Sequence, residues 1–172
     1  MKKRSRSASS RGEGLSTYEI LACTNTAMRR AARRLGNLYD DALAPSGLKA
    51  TQLGVLSEIQ RWATANGGQA PTLQDLAGKL TIQISALTHA LRPLVRDGLI
   101  ALQPDEQDGR TKRATLTTTG ETRLGEALEY WATVNQRVEA VLGPDSAATL
   151  RALADLVASD EFLAAYSDSE AG

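Results

Sequence analysis

Two helical patterns and a hairpin pattern follow one another in residues 73–116, LQDLAGKLTIQISALTHALRPLVRDGLIALQPDEQDGRTKRATL. The first is a short helical run that ends at Leu80, and the second carries apolar residues at helical spacing over 84–94. Two strand-like runs, 99–102 and 113–117, come next, separated by a polar, turn-rich segment. Two helices joined by a tight turn and followed at once by a hairpin are typical of a winged helix-turn-helix.

Helical patterns flank this unit on both sides. Two helices are predicted before it, over 18–43 and 51–65. After it, Thr118 and Glu121 form a predicted capping box before a long helix, and Pro144 begins a last one. We therefore expect a mainly α fold with a small β-hairpin wing, in the order α-α-α-α-β-β-α-α.

The same patterns predict a division into domains. Residues 51–117 form the winged helix-turn-helix, and 15–50 together with 118–166 form a helical dimerisation region, because their apolar positions extend further than one small winged helix can cover. Residues 1–14 are basic and almost without apolar side chains, so we expect a disordered tail there. A second disordered tail is expected at the C-terminus, over 167–172.

Composition excludes several functional classes. The 172 residues contain one cysteine and one histidine, too few for a disulfide framework or an ordinary zinc site. The chain has no Gly-rich phosphate loop and no nucleophile with a histidine nearby in sequence, so we expect neither an enzyme nor a metal or cofactor. No apolar run approaches the roughly 18 residues of a membrane span, and we expect a cytoplasmic protein with no membrane contact.

Charge is distributed unevenly along the chain. The formal net charge is zero, but residues 1–14 hold five basic side chains and one acidic one, so the remainder is net negative. Nucleic-acid binding by the folded part must therefore come from a local basic patch. For the tail itself, a purely solubilising role and extra phosphate contacts with DNA both remain open.

The helix over 83–96 offers candidate DNA-binding residues. Ile84 and three leucines are assigned to its buried stripe, which leaves small and polar side chains to face base edges in the major groove. We expect Pro93 to kink or end the exposed part. The candidates are Gln83, Ser85, Ala86, Thr88, His89 and Arg92.

The hairpin offers a second set of candidates, Arg110, Lys112 and Arg113. A long arginine on a protruding tip can enter the narrow, electronegative minor groove. Asp108 lies two residues before Arg110, where a bidentate contact would orient the guanidinium. The alternative is a hairpin that is merely solvated, or a winged helix used for protein–protein contacts, which would not need a basic wing.

Several stretches resemble the multiple antibiotic resistance regulator (MarR) family. Asp108-Gly109-Arg110 is the most specific of them, and the likeness covers the chain from Tyr18 to about Tyr166. The other matching stretches are 73–77, 87–100, 104–107 and 116–120.

The resemblance implies a homodimeric winged-helix transcription factor whose first and last two helices form the dimerisation region. It implies that Arg110 enters the minor groove of double-stranded DNA, that Asp108 orients it, and that the helix bearing Ser85, Thr88 and His89 enters the major groove. The expected operator is pseudo-palindromic. The expected function is a repressor released by a small aromatic or phenolic ligand.

The chain departs from the common family pattern at the DNA-facing surface. His89 stands where relatives often have arginine, and Leu102-Gln103 stands where they often have basic residues. We therefore expect weaker non-specific DNA binding than is common in the family.

The effector site is the least determined part of the sequence. Tyr39, Trp62 and Trp131 are candidates to line a ligand crevice, and Arg29 or Arg33 to pair with a carboxylate. The simpler interpretation is that the aromatics belong to the core and the arginines to a solvated face.

Cys23 is the one candidate for a redox response. The favoured interpretation is a small buried hydrophobe. In the hydroperoxide-sensing branch of the family, the reactive cysteine is expected two residues later, at the position that Asn25 occupies here. A shift of two positions along a helix places Cys23 on a different side of it.

Overall fold

The computed structural model describes residues 23–105 and 108–169. The predicted start of the first helix near Tyr18, the 1–14 tail and residues 170–172 lie outside this part. The described residues divide into two units between Leu35 and Gly36. Within the described ranges, no helix is both long enough and apolar enough to cross a bilayer.

The described elements are mostly helical. They are α1 (Thr24–Leu43), a short 3-10 helix (Ala44–Ser46), α2 (Ala50–Ala65), α3 (Leu73–Lys79), α4 (Ile84–Arg96), β1 (Ile100–Pro104), β2 (Lys112–Leu116), α5 (Thr118–Leu142), α6 (Pro144–Val157) and α7 (Asp160–Ser169). The predicted fold class, helical with one antiparallel hairpin, is confirmed.

The C-terminal part differs from the prediction. One last helix was expected, and the structure has two, because Ser159 both ends α6 and caps α7. Its hydroxyl donates to the Leu156 carbonyl (2.9 Å) and accepts from the Phe162 amide (3.1 Å). Helix α7 continues to Ser169, so the first three residues of the expected 167–172 tail are helical.

The core joins the helix-turn-helix to the wing. Helices α2, α3 and α4 contribute leucines and one isoleucine whose side chains are essentially inaccessible to water. Burying each of them stabilises the folded state by about 1.5–3 kcal/mol. The wing adds Ile100 and Ala114 to the same cluster. The helical members are Leu56, Ile59, Leu76, Leu87, Leu91 and Leu94.

Capping patterns in the sequence predict two helix starts, one at Thr72 with Asp75 and one at Thr118 with Glu121. At α3 the prediction is correct: the Thr72 hydroxyl accepts from the Asp75 amide (3.1 Å), and the Asp75 carboxylate accepts from the Thr72 amide (2.9 Å). At α5 it is wrong by one residue, because the cap is Thr117 and not Thr118. The Thr117 hydroxyl accepts from the Gly120 amide (3.0 Å) and also donates to the Gly98 carbonyl (2.6 Å), a bond that Thr118 does not make.

The turn between α3 and α4 contains a strained residue. Thr81 has φ +54°, a left-handed conformation that is unfavourable for a β-branched side chain. Two bonds hold it, from the Thr81 amide to the Gly78 carbonyl (3.1 Å) and from the Ile82 amide to the Ala77 carbonyl (3.0 Å). The angle between the two helices is therefore set by hydrogen bonds as well as by core packing.

Helix α4 runs through Pro93 and ends at Arg96, so of the two expected effects of Pro93, a kink or an end of the exposed part, the second is wrong. Leu94, fully buried one residue further on, anchors the last turn in the core. The Pro93 carbonyl also accepts from the Asp97 amide (2.9 Å), which keeps that turn helical.

Candidate nucleic-acid interface

The α4 candidates are all exposed, as the sequence predicts. Gln83 caps the helix in an extended conformation, and the remaining members follow on the outer face: Ser85, Ala86, Thr88, His89 and Arg92. The Thr88 hydroxyl donates to the Ile84 carbonyl (2.8 Å). With its hydrogen engaged there, Thr88 can act toward a ligand as an acceptor.

Ile84 is not part of the buried stripe, contrary to the prediction. Its side chain is 45% exposed, and the neighbouring Ile82 is 39% exposed. Ile84 is the first residue of α4 and Leu87 is the first buried one, so the core ends about one turn short of Ile84. The helical period alone could not show where the covering elements stop.

Asp108 organises the tip of the wing through the backbone. Its carboxylate accepts from the Arg110 amide (3.0 Å) and from the Thr111 hydroxyl (3.0 Å). The expected contact with the Arg110 guanidinium is therefore replaced by contacts that shape the turn. Across the described ranges, no hydrogen bond or ion pair engages the side chains of Arg110 and Lys112, and both are exposed.

Arg113 is turned inward, although the sequence grouped it with the DNA-binding residues. Its guanidinium pairs with the Asp105 carboxylate and donates to the Ala70 carbonyl, and its side chain is 25% exposed. An isolated bridge between Thr72 and Arg113 brings this side chain beside the segment that precedes α3. Arg113 thus fastens the wing to the helix-turn-helix, a role that depends on contacts distant in sequence.

The wing lies beside the exposed face of α4. One shallow groove of about 300 Å³ is lined by Thr88 and Arg92 of α4 and by Leu102 of β1. The polar helix face and the basic hairpin therefore belong to one continuous surface.

Of the three aromatic ligand candidates, all in the unit that begins at Gly36, the structure brings two together. Tyr39 and Trp131 line a cavity of about 350 Å³, with ring centroids 6.4 Å apart. Trp62 is not among the residues that line it. Arg29 and Arg33 belong to the unit formed by residues 1–35, in which both are exposed.

A chain of polar contacts starts at Tyr39. Its hydroxyl donates to Asn135 Oδ1 (2.8 Å), and Asn135 Nδ2 donates to Glu139 Oε1 (3.1 Å). Arg151 pairs with the same carboxylate. Burial raises the pKa of Tyr39, the charge of Glu139 raises it further, and Arg151 opposes the shift, so the phenol keeps its proton at neutral pH.

Cys23 is exposed, which overturns the expectation of a small buried hydrophobe. It directly precedes α1, and its sulfur lies 3.0 Å from Thr26 Oγ1 and 3.4 Å from the Thr26 amide. The hydrogen bonds from the Thr26 side chain and amide lower the pKa of the Cys23 thiol. Exposure and a lowered pKa are the two features that favour reactivity in a cysteine thiol.

We expect the alkylation rate of Cys23 to reach half its maximum at a lower pH than that of a cysteine in an unstructured peptide. The thiolate is the nucleophile, and the Thr26 bonds stabilise it. Thr26→Val, which removes the hydroxyl and keeps the amide, should move this midpoint upward. Iodoacetamide kinetics against pH measure it, and coincident profiles for the two proteins would contradict the assignment to Thr26.

The titratable side chains of the described residues form no metal centre. Among residues 23–105 and 108–169, no group of three or more His, Cys, Asp or Glu side chains is placed to hold a metal ion.

The chain is similar to known DNA-associated proteins. A family model described as "MarR family" matches residues 48–112. The Mycobacterium tuberculosis transcriptional regulator MosR, solved in complex with DNA, is 35% identical, with 78% of this chain and 92% of that chain covered and a TM-score of 0.66. A mutant MarR from E. coli, complexed with operator DNA, is 24% identical, with 83% and 99% covered and a TM-score of 0.71, a likeness in fold.

A curated relative is similar over a shorter span. The transcriptional activatory protein BadR of Rhodopseudomonas palustris is 30% identical over 103 residues, which are 60% of this chain and 53% of BadR. The match thus spans about half the length of that relative.

Proposed function

The chain belongs to the MarR family, and on this premise we propose that it is a transcriptional regulator that binds duplex DNA as a homodimer. The observation that carries the proposal is the shared surface of α4 and the wing, where an exposed polar helix face lies beside a basic hairpin. In the described part of the chain, the side chains of Arg110 and Lys112 on this hairpin are exposed and make no ion pair. Helix α4 is the groove-reading element of this arrangement, and the wing is its flanking contact.

The proposed contacts follow from the side chains. Ser85, Thr88 and His89 meet base edges in the major groove, and Arg92 reaches bases or phosphates beside them. Arg110 enters the minor groove from a turn already shaped by Asp108, and Lys112 contacts phosphate. Arg113 acts indirectly, because its ion pair with Asp105 positions the wing.

Dimerisation is supported by apolar side chains that no other described element covers. They concentrate on the C-terminal helices, where Val141 is 88% exposed. Contiguous exposed apolar surface marks a protein interface. The others there are Leu142, Leu153, Leu156, Val157, Phe162, Leu163 and Tyr166.

The proposed effector is a small aromatic or phenolic molecule. The cavity lined by Tyr39 and Trp131 supports this proposal, since its volume of about 350 Å³ falls in the range of small-molecule sites and aromatic rings line it. Repression released by the ligand stays a prediction, and the name of BadR describes an activator. A cytoplasmic location likewise stays a prediction.

A redox-responsive regulator is the second candidate. The observation that favours it is the exposed Cys23 thiol with its lowered pKa. The test is to oxidise the wild type and Cys23→Ser mildly and to measure operator binding. Weaker binding by the oxidised wild type alone would support a redox response over an aromatic effector.

The proposed function is tested by selecting bound fragments from genomic DNA and titrating one of them by fluorescence anisotropy at several salt concentrations. About four to five phosphate contacts per subunit predict a slope of log K against log salt of roughly −7 to −9. Sedimentation should give the mass of a dimer, and a screen of aromatic acids should find compounds that release the DNA. A monomer that binds no duplex would instead favour a protein–protein module.

A further inference from the structure

Two isoleucines stand exposed at the N-terminal end of α4. Ile82 ends the strained turn, and Ile84 is the first helical residue. Both side chains are more than a third exposed, whereas the next apolar residue, Leu87, is fully buried. Leaving large apolar side chains in water is unfavourable, so this end of the helix is suited to an apolar partner.

The backbone holds these side chains in place. The Ile82 amide donates to the Ala77 carbonyl (3.0 Å), and the Ile84 carbonyl accepts from the Thr88 hydroxyl (2.8 Å). Ile84 thus lies next to Thr88 on one helix face, as residues four apart do. Gln83 and Ser85 flank it, so the apolar group is set among exposed polar side chains.

The chemistry of the major groove restricts what such a group can meet. Among the base-pair edges displayed there, the one apolar group is the 5-methyl of thymine, and the N-terminal residues of a recognition helix contact base edges. We propose that Ile84 is a specificity-determining residue that selects thymine in each half-site by packing on its methyl group, with Ile82 shielding the contact from water. This inference rests on the proposed function.

The test removes the methyl group without altering base pairing. Each thymine of the operator is replaced in turn by deoxyuridine, and affinity is measured by anisotropy. When the contacted thymine of one half-site is replaced, the wild type should lose about three- to fivefold in affinity, the effect of one lost methyl contact. When it is replaced in both half-sites, the loss should be about nine- to twenty-five-fold. In Ile84→Ala the same replacement should cost less than twofold, and Ile84→Val should keep most of the wild-type loss.

Val95→Ala is the matched control. Val95 is a β-branched residue on the same helix, 37% exposed, but near its C-terminal end. It lines the groove between α4 and the wing but lies about 16 Å from Ile84 along the helix axis. Val95→Ala should therefore keep the full deoxyuridine penalty, whatever its own effect on affinity for the unmodified operator. Thermal unfolding of each variant confirms that the proteins compared are folded.

Two results would overturn the inference. One is a deoxyuridine penalty of equal size in the wild type and Ile84→Ala at every thymine, and the other is no penalty in the wild type at any position. If the wild type fails to bind the unmodified operator, the proposed function is wrong as well. The titration of the wild type with unmodified operator comes first, so it distinguishes this case from a failure of the inference alone.

Discussion

Gly120→Ala is expected to lower the free energy of unfolding by about 3 kcal/mol, at the upper end of what overpacking costs. A Cβ at this position would lie 2.0 Å from the Leu99 carbonyl oxygen and 2.9 Å from its carbon. These are backbone atoms, so no flexible side chain can move aside. The change should be measured by urea unfolding followed by circular dichroism.

The surrounding bonds explain why the junction cannot relax. The Leu99 carbonyl accepts from the Thr117 amide (3.1 Å), and the Thr117 hydroxyl bonds to both the Gly98 carbonyl and the Gly120 amide. Moving Leu99 away from a new methyl would break these contacts, which connect the end of α4, the wing and the start of α5. We therefore expect Gly120→Ala to weaken DNA binding too, by displacing the wing.

Gly125→Ala provides the matched control on the same helix. No atom lies within 4 Å of a Cβ placed there, and alanine is the better helix former, so stability should rise by up to about 1 kcal/mol. A Gly120→Ala protein as stable as the wild type, or a Gly125→Ala protein destabilised to the same degree, would contradict the close-contact explanation.

Arg110→Ala is expected to weaken operator binding by roughly 1–3 kcal/mol, or about 5- to 150-fold, the scale of one well-made groove contact. The side chain is exposed at the tip of the wing and is engaged by no ion pair in the described part of the chain. The turn that presents it is shaped by Asp108, which binds the Arg110 amide and the Thr111 hydroxyl. Anisotropy titrations with the selected operator measure the loss.

Two variants separate groove recognition from charge. Arg110→Lys keeps the charge but not the planar fork, so it should restore the salt slope and only part of the affinity. Arg137→Ala removes one exposed arginine from α5, outside the surface formed by α4 and the wing, and should leave operator affinity unchanged once sedimentation has shown the same oligomeric mass as the wild type. Unaltered binding by Arg110→Ala would instead favour the winged helix as a protein–protein module.

Local patterns in the sequence predict the order of the elements as far as the start of α6, but not the division of the C-terminal part into α6 and α7. The helix-turn-helix and hairpin follow from periodicity, and the Thr72–Asp75 cap of α3 from residues three apart. The cap of α5 was missed by one position because Thr117 and Thr118 are chemically alike. The Gly98 carbonyl, nineteen residues earlier, selects Thr117.

The fold class, the polar outer face of α4 and the basic tip of the wing follow from local sequence patterns, because they depend on neighbours a few residues apart. The surroundings of individual side chains are set only when the chain folds. Arg113 turns inward onto Ala70, Ile84 is exposed where the core ends, and Tyr39 lies beside Trp131 in the lining of one cavity. Burial and hydrogen bonding at these positions depend on residues distant in sequence, so no local pattern predicts them.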